Sequence, residues 1–254
     1  MGISIILVKK YVASLIYNNM KSRFLFILLV FASKILYSQD FLDGSFSFSS
    51  DKASYITLND GKEIVGLIDD IDRKKGLIEE ITIIDAEKKK VKLKPEEVKH
   101  MYIPPSGFDK LGRLNKTITN SEKWDDDHSA HAQHIKDGYV YFETTDVWIK
   151  KKKMTLLLQI LNPGFARNIK VFFDPYAGET ASFGFGGIKV AGGDAKSYYV
   201  KKGDDVAFRL HKKNYEEEFD KLFNDCPELK KHFTKDMEWE SLEKHVFFHS
   251  EKCK

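Results

Sequence analysis

The sequence predicts a mainly β protein of the α+β class: a small SH3-like barrel, then an antiparallel β-sandwich-like domain, then C-terminal helices. Three observations carry that expectation. Between residues 53 and 105 apolar and polar residues alternate in short runs parted by turn residues, the period of half-buried strands. A second series of such runs fills residues 139–212, and from Asn214 the apolar spacing changes to that of an amphipathic helix.

The first module is expected over residues 40–105. "DFLDGSFSFSSDK" alternates around Phe46 and Phe48 and suits a short edge strand or an ordered arm. "SYITL", "NDG" and "KEIVGLID" form two alternating runs about a turn sequence, a strong hairpin signal. "GLIEEITIID" and "KKKVKLKPEEV" repeat the scheme, with Lys88–Lys90 where a solvated turn belongs, and "HMYIPP" closes the module. Several short strands within about fifty residues and no helix suggest a bent barrel.

Pro104, Pro105 and Gly107 end that series, and residues 106–138 read as a polar linker with one short helix around Phe108, Leu111, Leu114 and Ile118. The second module, 139–212, holds "YVYFETTDVWI", "MTLLLQIL", "NIKVFFD", "ASFGFGGIKVA" and "KSYYV", separated by "NPG", "PYAG" and "AGGD". Gly and Asn supply the positive φ of tight turns, so antiparallel neighbours are expected. "MTLLLQIL" is nearly all apolar, as a strand covered on both faces would be.

In the segment 213–254, Tyr215, Phe219, Leu222 and Phe223 fall on one helical face, with Asn214 as cap and Glu217 three residues on. A second helix is expected after Asp225 with Pro227 in its first turn, and a third over "DMEWESLEKHVFFH".

The leader bears on location. From Met20, "MKSRFLFILLVFASKILYSQD" runs basic, then apolar, then small, the order of a secretory signal, with cleavage expected between Ser38 and Gln39. Residues 1–38 are therefore read as a signal segment, with Met20 as an alternative start and an uncleaved amphipathic anchor as the competing reading. The apolar run, broken by Lys34, is shorter than the roughly 20 residues a bilayer requires. This segment carries five of the 41 basic residues and no acid, leaving 36 basic against 38 acidic side chains. The pI of 8.5 is thus a property of the leader, and nucleic acid is not an expected partner. The two cysteines, Cys226 and Cys253, are either free or joined in one bridge, which requires Cα atoms within about 7 Å.

Among motifs that could carry chemistry, "WDDDHSAHAQH" spaces His128, His131 and His134 three apart behind three aspartates. Neighbouring members would share a helix face. Helical zinc enzymes instead use histidines four apart with a glutamate between them, and a catalytic zinc needs a third ligand and an open position. These histidines are weak metal candidates, and a solvated loop is the preferred reading. The glycines of "FGFGGIKVAGGDAKS" miss both dinucleotide and P-loop spacing and read as strand turns. Asn115-Lys116-Thr117 matches a glycosylation acceptor, relevant only in a eukaryotic host. No nucleophile elbow, Cys/His pair or His-Glu-x-x-His occurs, so neither a catalytic residue nor a cofactor is expected.

The leader ending "LYSQD", the segment "LNDGKEIVGLIDDIDRKKGLIEEITI" and the tail "KKNYEEEFDKLFNDCPEL" together resemble exported proteins of unknown function from Bacteroidota, flavobacteria in particular. The resemblance implies a periplasmic, outer-membrane-associated or secreted location and brings no catalytic residue. The expected role is binding or structural interaction with an envelope or extracellular partner. The competing role is a metal-dependent hydrolase using His128, His131 and His134. A third reading docks Lys150–Lys153 on an anionic envelope component as a peripheral membrane contact, against a plain solvated hairpin tip.

Overall fold

A computed structural model describes residues 40–107, 129–177, 183–185, 188–191, 195–234 and 236–253, all within one compact unit, Gln39–Lys254. Ser38, Gln39, His128 and the glycosylation-like Asn115 lie outside the described residues, as does the helix expected around Phe108–Ile118.

The protein is mainly β, with helices at its C-terminus. Strands β1 (Ala53–Leu58), β2 (Glu63–Lys74), β3 (Leu77–Asp85), β4 (Lys90–Leu93) and β5 (Val98–Ile103) are followed by helix α1 (Ser129–Lys136). Then come β6 (Val140–Ile149), β7 (Lys152–Gln159), β8 (Ile169–Phe173), β9 (Phe183–Phe185), β10 (Ile188–Ala191), β11 (Ser197–Lys202) and β12 (Ala207–His211). Helices α2 (Tyr215–Phe223), α3 (Pro227–His232) and α4 (Leu242–Lys252) close the chain.

The turns explain the first hairpins. Gly61, at φ +86°, completes the "NDG" turn, where Asp60 accepts from the Lys62 N–H. Lys75 and Gly76 both take positive φ, the two-residue connection that matches strand twist. β2 is therefore twelve residues long, extending through the charged "DDIDRK" that alternation alone leaves ambiguous. It bends at register shifts after Ile68 and Asp72.

The two expected β modules share one sheet. Its ten strands run β4-β3-β2-β1-β5-β6-β12-β11-β8, with β7 on the other edge of β6. The join is β5 to β6, His100 opposite Glu143 through Ile103 opposite Val140. The ten strands thus make one continuous mixed sheet. The β1–β7 part curls around Ile56, Ile81, Ile83, Met101 and Val140, and Leu157 of β7 joins this core. Antiparallel pairing holds throughout except at β12, which lies parallel to β6 at Ala207 and Phe208. β9 and β10 form a separate two-stranded hairpin, as the strand-turn reading of the glycine-rich run expects.

Both faces of β8-β11-β12 are covered. One face packs against Tyr215, Phe219, Phe223, Trp239 and Val246 of the helical segment, and the other against Val147, Leu156 and Leu158 of β6 and β7. The arm at 41–48 is ordered. The Leu42 N–H donates to the Leu161 carbonyl, and the Gln159 side chain accepts from the Ser45 N–H while donating to the Asp43 carbonyl.

The helix caps differ from expectation. Asn214 accepts from the His211 N–H behind it rather than from α2. Asp225 contacts Lys202 and His249, leaving Cys226 at the cap position of α3. Cys226 and Cys253 are joined, with Cα atoms 5.5 Å apart, tying α3 to the end of α4. His245 is fully buried. Its Nε2 faces the Asp236 carbonyl, which only accepts, so Nε2 carries the hydrogen and Nδ1 accepts from the Tyr215 hydroxyl.

Two outcomes are expected of this cap. Replacing both cysteines with alanine removes a cross-link spanning 27 residues, which constrains the unfolded chain by about 3.5 kcal/mol, read from the shift in a urea unfolding curve. Burial pushes His245 down to about 4, below its unfolded value near 6.5. Its contribution is complete above pH 6.5 and declines as pH falls toward 4, by up to about 3 kcal/mol. Unfolding curves across that window should show the decline, and His245→Gln should lack it.

Candidate functional site

A groove of about 1300 Å³ opens where β6 ends and β12 continues past it. One wall is the β2–β3 hairpin end with the turn Lys94–Glu96, the next is the β6–β7 tip, and the third is β12 with Tyr176 and the start of α2. The sequence places these walls far apart, and only the continuous sheet brings them together.

Burial divides the lining. Tyr199 and Leu156 are almost fully enclosed, whereas Trp148, Met154 and Tyr176 are 46%, 43% and 41% exposed. Alternation along β6 and β12 sets Trp148 beside Phe208. The opposite face of β12 carries Arg209 and His211, opposite Tyr199 and Ser197 of β11.

A buried carboxylate organises that second face. Asp174, with no exposed surface, follows β8 and accepts from the Tyr176 N–H at 3.0 Å and the Ser197 hydroxyl at 2.6 Å. It also accepts from Arg209 Nε, and the guanidinium lies 5.9 Å from the Tyr176 ring centre. A buried charge requires such partners, since an unpaired one costs several kcal/mol. Ser197 is buried and bonded directly to Asp174 rather than to a histidine, so the trio of Ser197, His211 and Asp174 lacks the order of a nucleophilic triad.

Ionisable groups here are moved away from neutrality. Burial, then Asp174, pushes the Tyr199 phenol up to about 12. Burial, with Arg209 and Lys213, lowers His211. At neutral pH Tyr199 is a hydroxyl and His211 an uncharged imidazole.

The histidine run is not a loop at its centre. His131 and His134 lie on α1, and the His131 side chain, like all of His128, is outside the described residues. His134 is half-buried, its ring centre 4.3 Å from Tyr55, 4.7 Å from Tyr102 and 5.4 Å from Tyr139. Apolar Ile135, 1% exposed, docks the helix onto the outer face of β1 and β5, which draws His134 among the tyrosines. Among the described residues no group of three His, Cys, Asp or Glu side chains is placed to share a metal. Lys150–Lys153 form the β6–β7 tip, where Lys153 pairs with Asp146.

Sequence reasoning missed the Asp174–Arg209 pair. The available signal was a lone acid ending the apolar run "NIKVFFD", since a carboxylate there meets the sheet interior unless a cation follows it. Comparison of the chain with protein-family models, curated proteins and solved structures finds no match, so the reading of the groove rests on its own residues.

Proposed function

We propose that the protein acts by binding, with this groove as its ligand site. The observation that carries the reading is the clustering of Trp148, Met154 and Tyr176, three of seven large hydrophobic side chains exposed among the described residues, in one concavity. Exposed apolar surface gathered in a cleft gains free energy when a ligand covers it. The pKa directions support binding over acid–base chemistry, because a general acid or base works best with a pKa near the operating pH, and Tyr199 and His211 are driven the other way.

The same proposal places the protein outside the cytoplasm, in the envelope or secreted. The leader of residues 1–38, with Met20 as an alternative start, supports this, as does the Cys226–Cys253 bridge, since such bridges persist in oxidising compartments. The resemblance to exported Bacteroidota proteins points the same way. Among the described residues no helix is long and apolar enough to cross a membrane.

Two experiments test these readings. On a printed array of oligosaccharides and short peptides, the wild-type chain should retain ligands that Trp148→Ala/Tyr176→Ala loses, with both chains showing the same far-UV circular dichroism. Equal capture by both would remove the groove from the function. N-terminal sequencing of the protein recovered from an envelope or culture fraction should begin at Gln39, and recovery of the uncleaved chain from cytoplasm would reject export.

A further inference from the structure

The groove's lining holds five acidic and five basic side chains, so its charge is balanced and the kind of ligand is read from one of them, Arg209. Three of its acids are already held by lysines: Glu79 by Lys74, Glu80 by Lys92 and Glu218 by Lys221. Three of its lysines, Lys75, Lys94 and Lys150, have no carboxylate partner among the described residues. Two of its acids, Asp72 and Glu96, are likewise in no ion pair among the described residues, so charge alone does not select the ligand.

Arg209 supplies the geometry that favours an anion. Asp174 accepts from its Nε, and the guanidinium carbon lies 5.9 Å from the Tyr176 ring centre, so it is held on two sides before any ligand arrives. Its side chain is 32% exposed and lines the groove, and among the described residues no second acceptor engages it. The two terminal nitrogens thus remain as a parallel pair of donors, the arrangement that matches the two oxygens of a carboxylate. Tyr176 beside it and Trp148 across the β6 end supply exposed ring surface of the sort that covers the flat apolar face of a pyranose.

A peptide would use this place differently. An added strand pairs through backbone groups along a free strand edge, and the free edge here is β12 beyond Phe208. The His211 N–H on that stretch is already taken by the Asn214 side chain at 2.8 Å.

We propose that the groove recognises a carboxylated oligosaccharide, with Arg209 on the carboxylate, Asp174 as the residue that positions Arg209, and Tyr176 and Trp148 against the sugar rings. This inference rests on the groove being the ligand site.

The test is isothermal titration of the full chain with tetramers of galacturonate and mannuronate and with a hyaluronan tetrasaccharide, each set against its methyl ester. At least one acid tetramer should bind and its ester should bind about tenfold more weakly or worse, because the charge-assisted pair is lost. Arg209→Lys keeps the charge but not the paired donors, and should lose a similar factor while melting near the wild-type temperature. Higher salt should weaken the acid forms only.

Equal affinity for acid and ester, wild-type affinity in Arg209→Lys, or no binding of any tetramer would overturn the proposal. So would preferential binding of tetraglutamate, which would point to an acidic peptide. If these arms fail while the array still shows ligands lost in Trp148→Ala/Tyr176→Ala, the groove stands as a binding site and only its assignment to carboxylated sugars falls.

Discussion

The structure depends on the hydrogen bonding of β6, which serves three strands. One edge is occupied by β7 from Phe142 to Ile149. The other edge pairs with β5 over Val140–Glu143 and then, in parallel, with β12 at Val147 and Trp148. Between those partners lies a gap of three residues, 144–146, in which the Thr144 hydroxyl donates to the Pro95 carbonyl at 3.0 Å. Backbone groups left unpaired in an interior are costly, so the two halves of the molecule are joined by a ladder that neither can withdraw from without loss. The groove exists because β12 leaves β6 at this strand's end.

The covering of β8-β11-β12 on both faces follows from that joint. Once β12 is set beside β6, the alternation of its side chains sends Leu210 toward the helices and Ala207 toward β6 and β7. Helix α2 must then bury Tyr215, Phe219, Leu222 and Phe223, and the bridge between Cys226 and Cys253 holds the later helices against the same surface. Asp174 is the polar exception in this apolar setting, and it is tolerated because Arg209, Ser197 and the Tyr176 N–H converge on it.

Local features were legible in the sequence wherever they depend on neighbours in the chain. The "NDG" turn, the strand "MTLLLQIL", the face of α2 and Pro227 at the start of α3 all fall where their residue types place them. What escaped was set by distant partners. "DDIDRK" belongs to a strand because β3 returns against it, with Asp72 opposite Glu80 and Arg73 opposite Ile78. The His131–His134 stretch is helical because Ile135 docks on a face formed by β1 and β5, a surface that no local period reveals. The continuity of the sheet was hidden for the same reason, since the polar run after Pro105 has the composition of a boundary between domains. The groove, the least legible feature, draws its walls from strands more than a hundred residues apart.

The ordered arm sets a sequence of events. Phe41 and Leu42 are 3% and 5% exposed, and Gln159 bonds to the Asp43 carbonyl across 116 positions of sequence. A peptidase acting after Ser38 needs Gln39, Asp40 and Phe41 extended in its cleft, and Phe41 is not free once it has docked against Phe165 and Tyr198. The arm cannot dock until residues 159–165 exist to receive it. Any cleavage at that point would therefore have to precede the docking of Phe41.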